Sequence, residues 1–193
     1  MNRLGGYSGK VARVNLTKEQ AKTENLRWEW VTQYIGGKGL GFKYLYEELK
    51  PKLNPLSPEN KLIVITGPLS GTIAPATGKY TIVTKSPRTN TILDSYFGGT
   101  FGAQLKFSGF DAVIVEGRAK RPVYISIIDG RVSLKSAENL WGKGAFDTIS
   151  AIKKDEGDAK TSVLAIGPAG ENMVELASVN ADVIWNAGRG GAG

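Results

Sequence analysis

Polar and apolar positions alternate in "KVARVNL" (10–16) and again in "AKTENL" (21–26), with polar "TKEQ" between them, which predicts a β-hairpin. "WEWVTQYI" (28–35) repeats its apolar residues at helical spacing instead, with Trp28, Val31 and Ile35 on one face. Gly36 and Gly37 interrupt the pattern, and "LGFKYLYEELK" (40–50) resumes it. A proline-rich loop (51–61) leads to "LIVIT" (62–66), a short buried strand stopped by "GPLSGT" (67–72). "KYTIVTK" (79–85) alternates as a half-buried strand. "SYFGGTFGAQLKFSG" (95–109) opens on glycines and continues with helical spacing, and "DAVIVEG" (111–117) is a buried strand. "PVYISII" (122–128), Asp129-Gly130 and "RVSLK" (131–135) form a second hairpin, because Asp-Gly suits a tight type I′ turn. "GAFDTISAIKKDEG" (144–157) is an amphipathic helix with Phe146, Ile149 and Ile152 on one face. "TSVLAIG" (161–167) is another buried strand; "MVELASVNADVI" (173–184) begins as strand and is ambiguous afterwards. About eight strands, three or four helices and several hairpins give an α+β fold with mixed or antiparallel sheets.

The turns repeat themselves. "LIVITGPLSGT" and "SVLAIGPAGEN" each run an apolar strand into Gly-Pro, and "GGKGLG" (36–41) and "GGTFG" (98–102) each set a glycine pair before a helical segment. The unequal spacing excludes a solenoid and is compatible with two related halves. The 25 glycines cluster at 36–41, 67–78, 98–102 and 188–193. Glycine turns bare backbone N–H groups that suit anions, yet neither a dinucleotide fingerprint nor a P-loop spacing is present. Two cations adjoin these turns, Lys79 after "PATG" and Arg189 within "AGRGG". Together they suit a polar, phosphorylated ligand.

Composition narrows the chemistry. The chain of 193 residues holds no cysteine and no histidine. Disulfides, the usual zinc sites, cysteine-held iron–sulfur clusters and Ser-His or Cys-His nucleophiles are thereby excluded within it. A net charge of +7 favours anionic partners, but no basic run marks a nucleic-acid arm. No stretch approaches the ~18 apolar residues of a membrane span. The N-terminus lacks the apolar core of a secretory signal, and a cytoplasmic protein is expected.

"PLSPENKLIVITGPLSGTIAPATGKYTIVTKSP" (55–87), "FGGTFGAQLKFSGFDAVIVEGRAKRPVYI" (97–125), "LWGK" (140–143), "IGPAGENMVELASV" (166–179) and "AGRGGAG" (187–193) resemble, in order and spacing, the N-terminal domain of the aldehyde ferredoxin oxidoreductase family of tungsten enzymes. The resemblance implies that residues 1–193 are a single N-terminal cofactor-binding domain of a larger oxidoreductase, ending at its glycine loop. Two helical domains carrying a 4Fe-4S cluster and the substrate channel would follow, and the domain alone would be inactive. It implies pseudo-symmetric halves forming a base for a bis-pterin cofactor of tungsten or molybdenum, with magnesium bridging the pterin phosphates. Ferredoxin would accept electrons from a small carbonyl substrate, and the full-length protein would be a homo-oligomer, with neither nucleic acid nor membrane as partner.

By resemblance, Lys79 in "TGKY" stands where the family has an arginine between pterin and cluster. Tyr96 and Gly98 fall on the family's "NSGG", where the Tyr96 carbonyl would meet magnesium. Trp185, Asn186, Gly188 and Arg189 fall on "RAAGRGG". Asn186 would give magnesium a second carbonyl, Gly188 and Arg189 would meet the pterin, and Trp185 replaces an arginine and could stack on a flat heterocycle. No catalytic base is identified in the chain. Trp28, Trp30 and Trp141 are expected in the core or an interface, and Asp94, Asp111 and Asp182 at turns and strand ends. The competing reading is a stand-alone phosphate- or nucleotide-binding module without catalysis; basic nucleic-acid binding ranks behind both.

Overall fold

The alternation that makes strands of the first half also assigns their two faces to two different cores. In the computed structural model, which describes residues 4–182 and 184–193, six strands form one sheet. They are β1 (Lys10–Asn15), β2 (Gln20–Asn25), β3 (Lys61–Ile65), β4 (Tyr80–Lys85), β5 (Ile92–Phe97) and β6 (Ala112–Glu116), in the order β2-β1-β6-β3-β4-β5. Only β1 and β6 run parallel; every other neighbouring pair is antiparallel, so the sheet is mixed.

On one face, Val11, Ile63, Ile65, Val83, Ala112 and Ile114 meet helices α1 (Trp28–Tyr34) and α2 (Gly37–Glu48) through Trp30, Val31, Leu40, Tyr44 and Leu45. Gly41 lets α2 sit close, because a Cβ there would lie 2.8 Å from Val83 Cγ2. On the other face, Val14, Val64, Tyr80, Ile82, Phe97 and Val113 pack on Leu105 of α3 (Phe101–Phe107) and on Val179, Ala181 and Ala187. Those last three belong to a three-stranded antiparallel sheet. It is built from β9 (Leu164–Ala165), β10 (Val179–Ala181) and β11 (Trp185–Ala187). A separate hairpin, β7 (Val123–Ile128) and β8 (Arg131–Ser136), turns on Asp129 and Gly130, both at positive φ as a type I′ turn requires. Helix α4 (Ala145–Asp155) buries Ile149 and Ile152 against Val163 and Ala165, and α5 (Pro168–Glu171) follows β9.

Several expectations shift. β4 is buried along nearly its whole length rather than half-buried, since it lies inside the sheet with packed layers on both faces. β5 arises from residues expected to open a helix, and α2 starts within the glycine run. Residues 173–178 are turn, and the strand comes after them. Ile35 and Phe146 point outward from their helices, and Trp141 is exposed, while Trp30 is buried. The described residues hold eleven strands and five helices, because two- to four-residue elements carry too little pattern to register.

The N-terminal residues strap down one end of the sheet. Asp111 accepts hydrogen bonds from the backbone N–H groups of Ser8 and Gly9 at 3.1 and 2.6 Å and pairs with Lys106 at 2.5 Å, and both side chains are buried. At the opposite end, Lys61 is paired with Glu116 and stands 3.6 Å from Glu48, whose carboxylate also grips Arg13.

Candidate functional site

Three glycine-rich segments distant in sequence meet where β4 begins and β5 ends. The β4–β5 register pairs Tyr80 with Phe97, which sets Lys79 opposite Gly98. A Cβ on Gly78 would lie 3.1 Å from the Gly99 carbonyl oxygen, so the two turns touch. From the second sheet, the Trp185 indole lies on both Gly98 and Gly99; a Cβ on either would come within 2.7–2.8 Å of the ring. Any side chain at these two positions would displace the indole, and glycine at both is what lets β11 close on β5. The turn 36–37 joins the same end, since Gly36 stands against the Gly67 Cα and the Thr66 carbonyl. Lys79 ends a 14-residue irregular segment (66–79), a length usual for binding loops rather than simple connections.

Tyr96 lies on β5 opposite Thr81 and is 46% exposed. Its neighbour Asp94 faces Lys38 of α2 at 3.5 Å. Trp185 and Asn186 belong to β11, where Asn186 pairs with Asn180. Gly188 and Arg189 continue along the β5 edge and are exposed. Gly190 lies against Leu93, at the other end of β5, and its carbonyl accepts a hydrogen bond from Ser86 Oγ at 2.7 Å. The segment 185–190 therefore runs the length of β5. Lys79 and Arg189 sit toward opposite ends of this edge, separated by about 15 Å of strand rise. The glycine turns and both cations border an elongated, open strip rather than a compact pocket.

A groove of about 290 Å³ does exist, but at the other end of the large sheet, lined by Lys61, Leu62, Thr84, Pro87, Val174 and Gly191 among others. None of the predicted site residues borders it.

The strip suits an anion. Among the described residues, neither Lys79 nor Arg189 is engaged in an ion pair. Among the described residues, no group of three acidic, histidine or cysteine side chains is placed to hold a metal ion. A cation at this strip would have to be held by carbonyl oxygens and by the ligand itself. The indole of Trp185 is 45% exposed, so one part rests on the glycines and the rest is open to a flat ring.

One group was not legible as part of the site. Asp182, at the turn between β10 and β11, receives hydrogen bonds from Thr100 Oγ1 at 3.0 Å, Ser162 Oγ at 2.9 Å and the Val163 N–H at 3.0 Å. "VNADV" gives no sign of this, because its partners lie 82 and 20 residues away.

Residues 11–193 match the family model described as aldehyde ferredoxin oxidoreductase, N-terminal domain. The tungsten-containing aldehyde ferredoxin oxidoreductase of Pyrococcus abyssi is 47% identical over 188 residues, 97% of this chain and 31% of the relative. That of Pyrococcus horikoshii matches at the same identity and coverage. Among solved structures, the active site complex BamBC of benzoyl coenzyme A reductase, in complex with 1,5-dienoyl-CoA, superposes with a TM-score of 0.95 at 36% identity. That match covers 97% of this chain and 29% of the other. The chain thus spans about a third of the length of the curated relatives it matches.

Proposed function

The chain belongs to the aldehyde ferredoxin oxidoreductase family, of which it carries the N-terminal domain, and from that premise we propose that the strip along β5 holds the phosphorylated pterins of a tungsten or molybdenum cofactor. The observation that supports this most is the meeting of Lys79, Gly98 and Trp185 from three separate segments, with Arg189 farther along the same edge. Glycine amides and two uncommitted cations match phosphate, and an exposed half-indole matches a planar heterocycle. Carbonyls of Tyr96 and Asn186 are the proposed ligands of a magnesium ion between the pterin phosphates.

The bound cofactor would supply two-electron redox chemistry at its metal. The residues of this domain bind and orient. Lys79 places a point charge at the top of the strip and Arg189 a planar fork at its lower part. Trp185 excludes water from Gly98 and Gly99. We assign no side chain of the strip an acid–base role; proton-handling groups and a 4Fe-4S cluster are proposed for other parts of the full-length protein. Ferredoxin as electron acceptor, a carbonyl or related substrate, and homo-oligomeric assembly are proposals for that whole protein. Its relatives include an aldehyde ferredoxin oxidoreductase and a complex of benzoyl coenzyme A reductase, so family membership alone does not select the substrate class.

The test is metal analysis and pterin fluorescence on full-length protein purified without oxygen. Tungsten or molybdenum with about two pterins per metal is the expected result. Protein that holds neither metal nor pterin, but is stabilised strongly by a nucleotide in a thermal-shift screen, would establish the phosphate-module reading instead.

A further inference from the structure

Trp185 can serve as a wall of the strip only if two loops with no backbone continuity are held in register. One is the Gly98–Thr100 turn between β5 and α3; the other is the turn at Asp182 between β10 and β11. The two are joined by Asp182. Its Oδ2 receives Thr100 from the first loop and Ser162 from the segment before β9, at 3.0 and 2.9 Å. Its Oδ1 receives the Val163 N–H at 3.0 Å and lies 3.6 Å from Lys153 Nζ of α4. The Thr100 and Ser162 hydroxyl oxygens are themselves 2.6 Å apart, closing a triangle with the carboxylate. The Asp182 N–H is in turn donated to the Val163 carbonyl at 3.2 Å. Asp182 adopts φ 44°, a left-handed conformation that aspartate tolerates better than most residues. That conformation turns the chain from β10 toward β11.

A second observation lies directly beneath. Tyr80, next to Lys79, is sandwiched by Phe97 and Phe101, and its hydroxyl is buried with no partner among the described residues. Burial first, and then the Asp182 carboxylate, push this phenol well above its ordinary value, so it stays neutral. Thr100, which Asp182 holds, directly precedes Phe101, so the carboxylate is joined to the aromatic group that packs beside the strand carrying Lys79.

We propose that Asp182 is a positioning residue, whose carboxylate locks the Gly98–Thr100 loop to the β10–β11 turn so that Trp185 is presented across Gly98 and Gly99 as a preformed wall of the ligand strip. The inference rests on the cofactor reading of that strip for its functional consequence, and on geometry alone for the lock itself. Preformation matters because a ligand that must order two loops spends binding energy on doing so.

The experiment uses full-length protein carrying Asp182→Ala, Thr100→Val or Thr100→Ser, each also made in a Trp185→Phe background. Every other tryptophan of the full-length protein, three of them in this domain, is subtracted through that background, which isolates the Trp185 emission. Acrylamide quenching of Trp185 is expected to rise at least twofold in Asp182→Ala and Thr100→Val and to stay near wild type in Thr100→Ser, which keeps the hydroxyl. Retained pterin is expected to fall about tenfold in the first two, the usual effect of losing an outer-shell partner. It should fall no further from Asp182→Ala once Trp185 is already phenylalanine. Unchanged Trp185 quenching in folded Asp182→Ala and Thr100→Val protein overturns the lock, as does pterin loss that is the same with and without Trp185. If Asp182→Ala does not fold, the exposed Thr100 pair decides alone. Wild-type protein without pterin would remove the cofactor reading, while the quenching comparison would still decide whether Asp182 holds the wall.

Discussion

Glycines in this chain do two separable jobs, and single substitutions can tell them apart. Gly98 and Gly99 are required by the domain itself, because the Trp185 ring occupies the space of a side chain. Gly191 is required in the same way, with φ at 77° and a Cβ that would collide with the Glu175 carbonyl. Gly188 differs. It has no neighbour within 4 Å of a built Cβ, and its φ lies outside the left-handed range. Alanine there should leave the unfolding midpoint within about 0.5 kcal/mol of wild type. Pterin content of the same protein should nevertheless drop severalfold, since the open space beside Gly188 is where the cofactor is proposed to approach. Equal pterin in Gly188→Ala and wild type would remove Gly188 from the site. At this scale the sequence was informative about glycine and arginine, whose chemistry travels with the residue. It places Asp182 and Asp111 at turns and strand ends but does not give their bonding, because an aspartate's role depends on donors that only folding delivers.

Elements were legible in proportion to their length. β1, β4, the β7–β8 hairpin, α1 and α4 carry alternation or helical periodicity, β3 and β6 carry short apolar runs, and each lies within a few residues of its expected place. β5 was misjudged because its "ILDSYF" mixes polar residues into both positions of the repeat: buried Ser95 and half-buried Asp94 break the alternation. Strand β11 spans only three residues and is formed by its pairing with β10. The end of α1 holds a feature no periodicity could announce. Ile35 has φ 63° and ψ −71°, and the Gly36 N–H donates to the Tyr34 carbonyl at 2.7 Å, which makes a γ-turn of the strained hand. For a β-branched residue this conformation costs about 1–3 kcal/mol. Ile35→Gly should raise the urea midpoint, by a net of about 1 kcal/mol after the loss of chain stiffness is counted. A lower midpoint would mean that the exposed isoleucine contributes more than its strain removes.

The far end of the sheet supplies an acid dependence. Glu116 is held below the ordinary carboxylate value of 4.5 chiefly by the hydrogen bond from Lys61. Its folded value is depressed, so its stabilising effect is complete above pH 4.5 and is lost as the pH falls through the folded value below that. Glu116→Gln should be less stable than wild type at pH 7, and the gap should close on titration toward pH 3. A gap that stays constant with pH would show that the carboxylate charge is not what Lys61 requires.

On the scale of the whole molecule, the family was readable and the shape of its site was not. Motif order across most of the chain reflects constraints at many positions at once, so it stays readable whatever single residue stands at the site. The strip's openness could not be inferred, because it follows from β5 being the sheet's edge strand and from β11 covering only part of it. That geometry has a thermodynamic consequence. A ligand on the strip would clamp segments 78–79, 96–99 and 185–191, which no covalent link joins closely. Ligand at a hundredfold its dissociation constant would add about 2.7 kcal/mol to stability. Hydrogen exchange on full-length protein, before and after the cofactor is stripped, should therefore show protection lost in those three segments. The β7–β8 hairpin, residues 123–136, lies outside the strip and serves as the internal reference. Exchange that rises equally in the hairpin would signal general loosening, and exchange that rises in none of the three segments would place the cofactor somewhere else. Because 185–191 also carries the turn held by Asp182, the graded outcome is informative: protection lost at 185–191 but kept at 96–99 would mean that the indole moves with the cofactor rather than waiting for it.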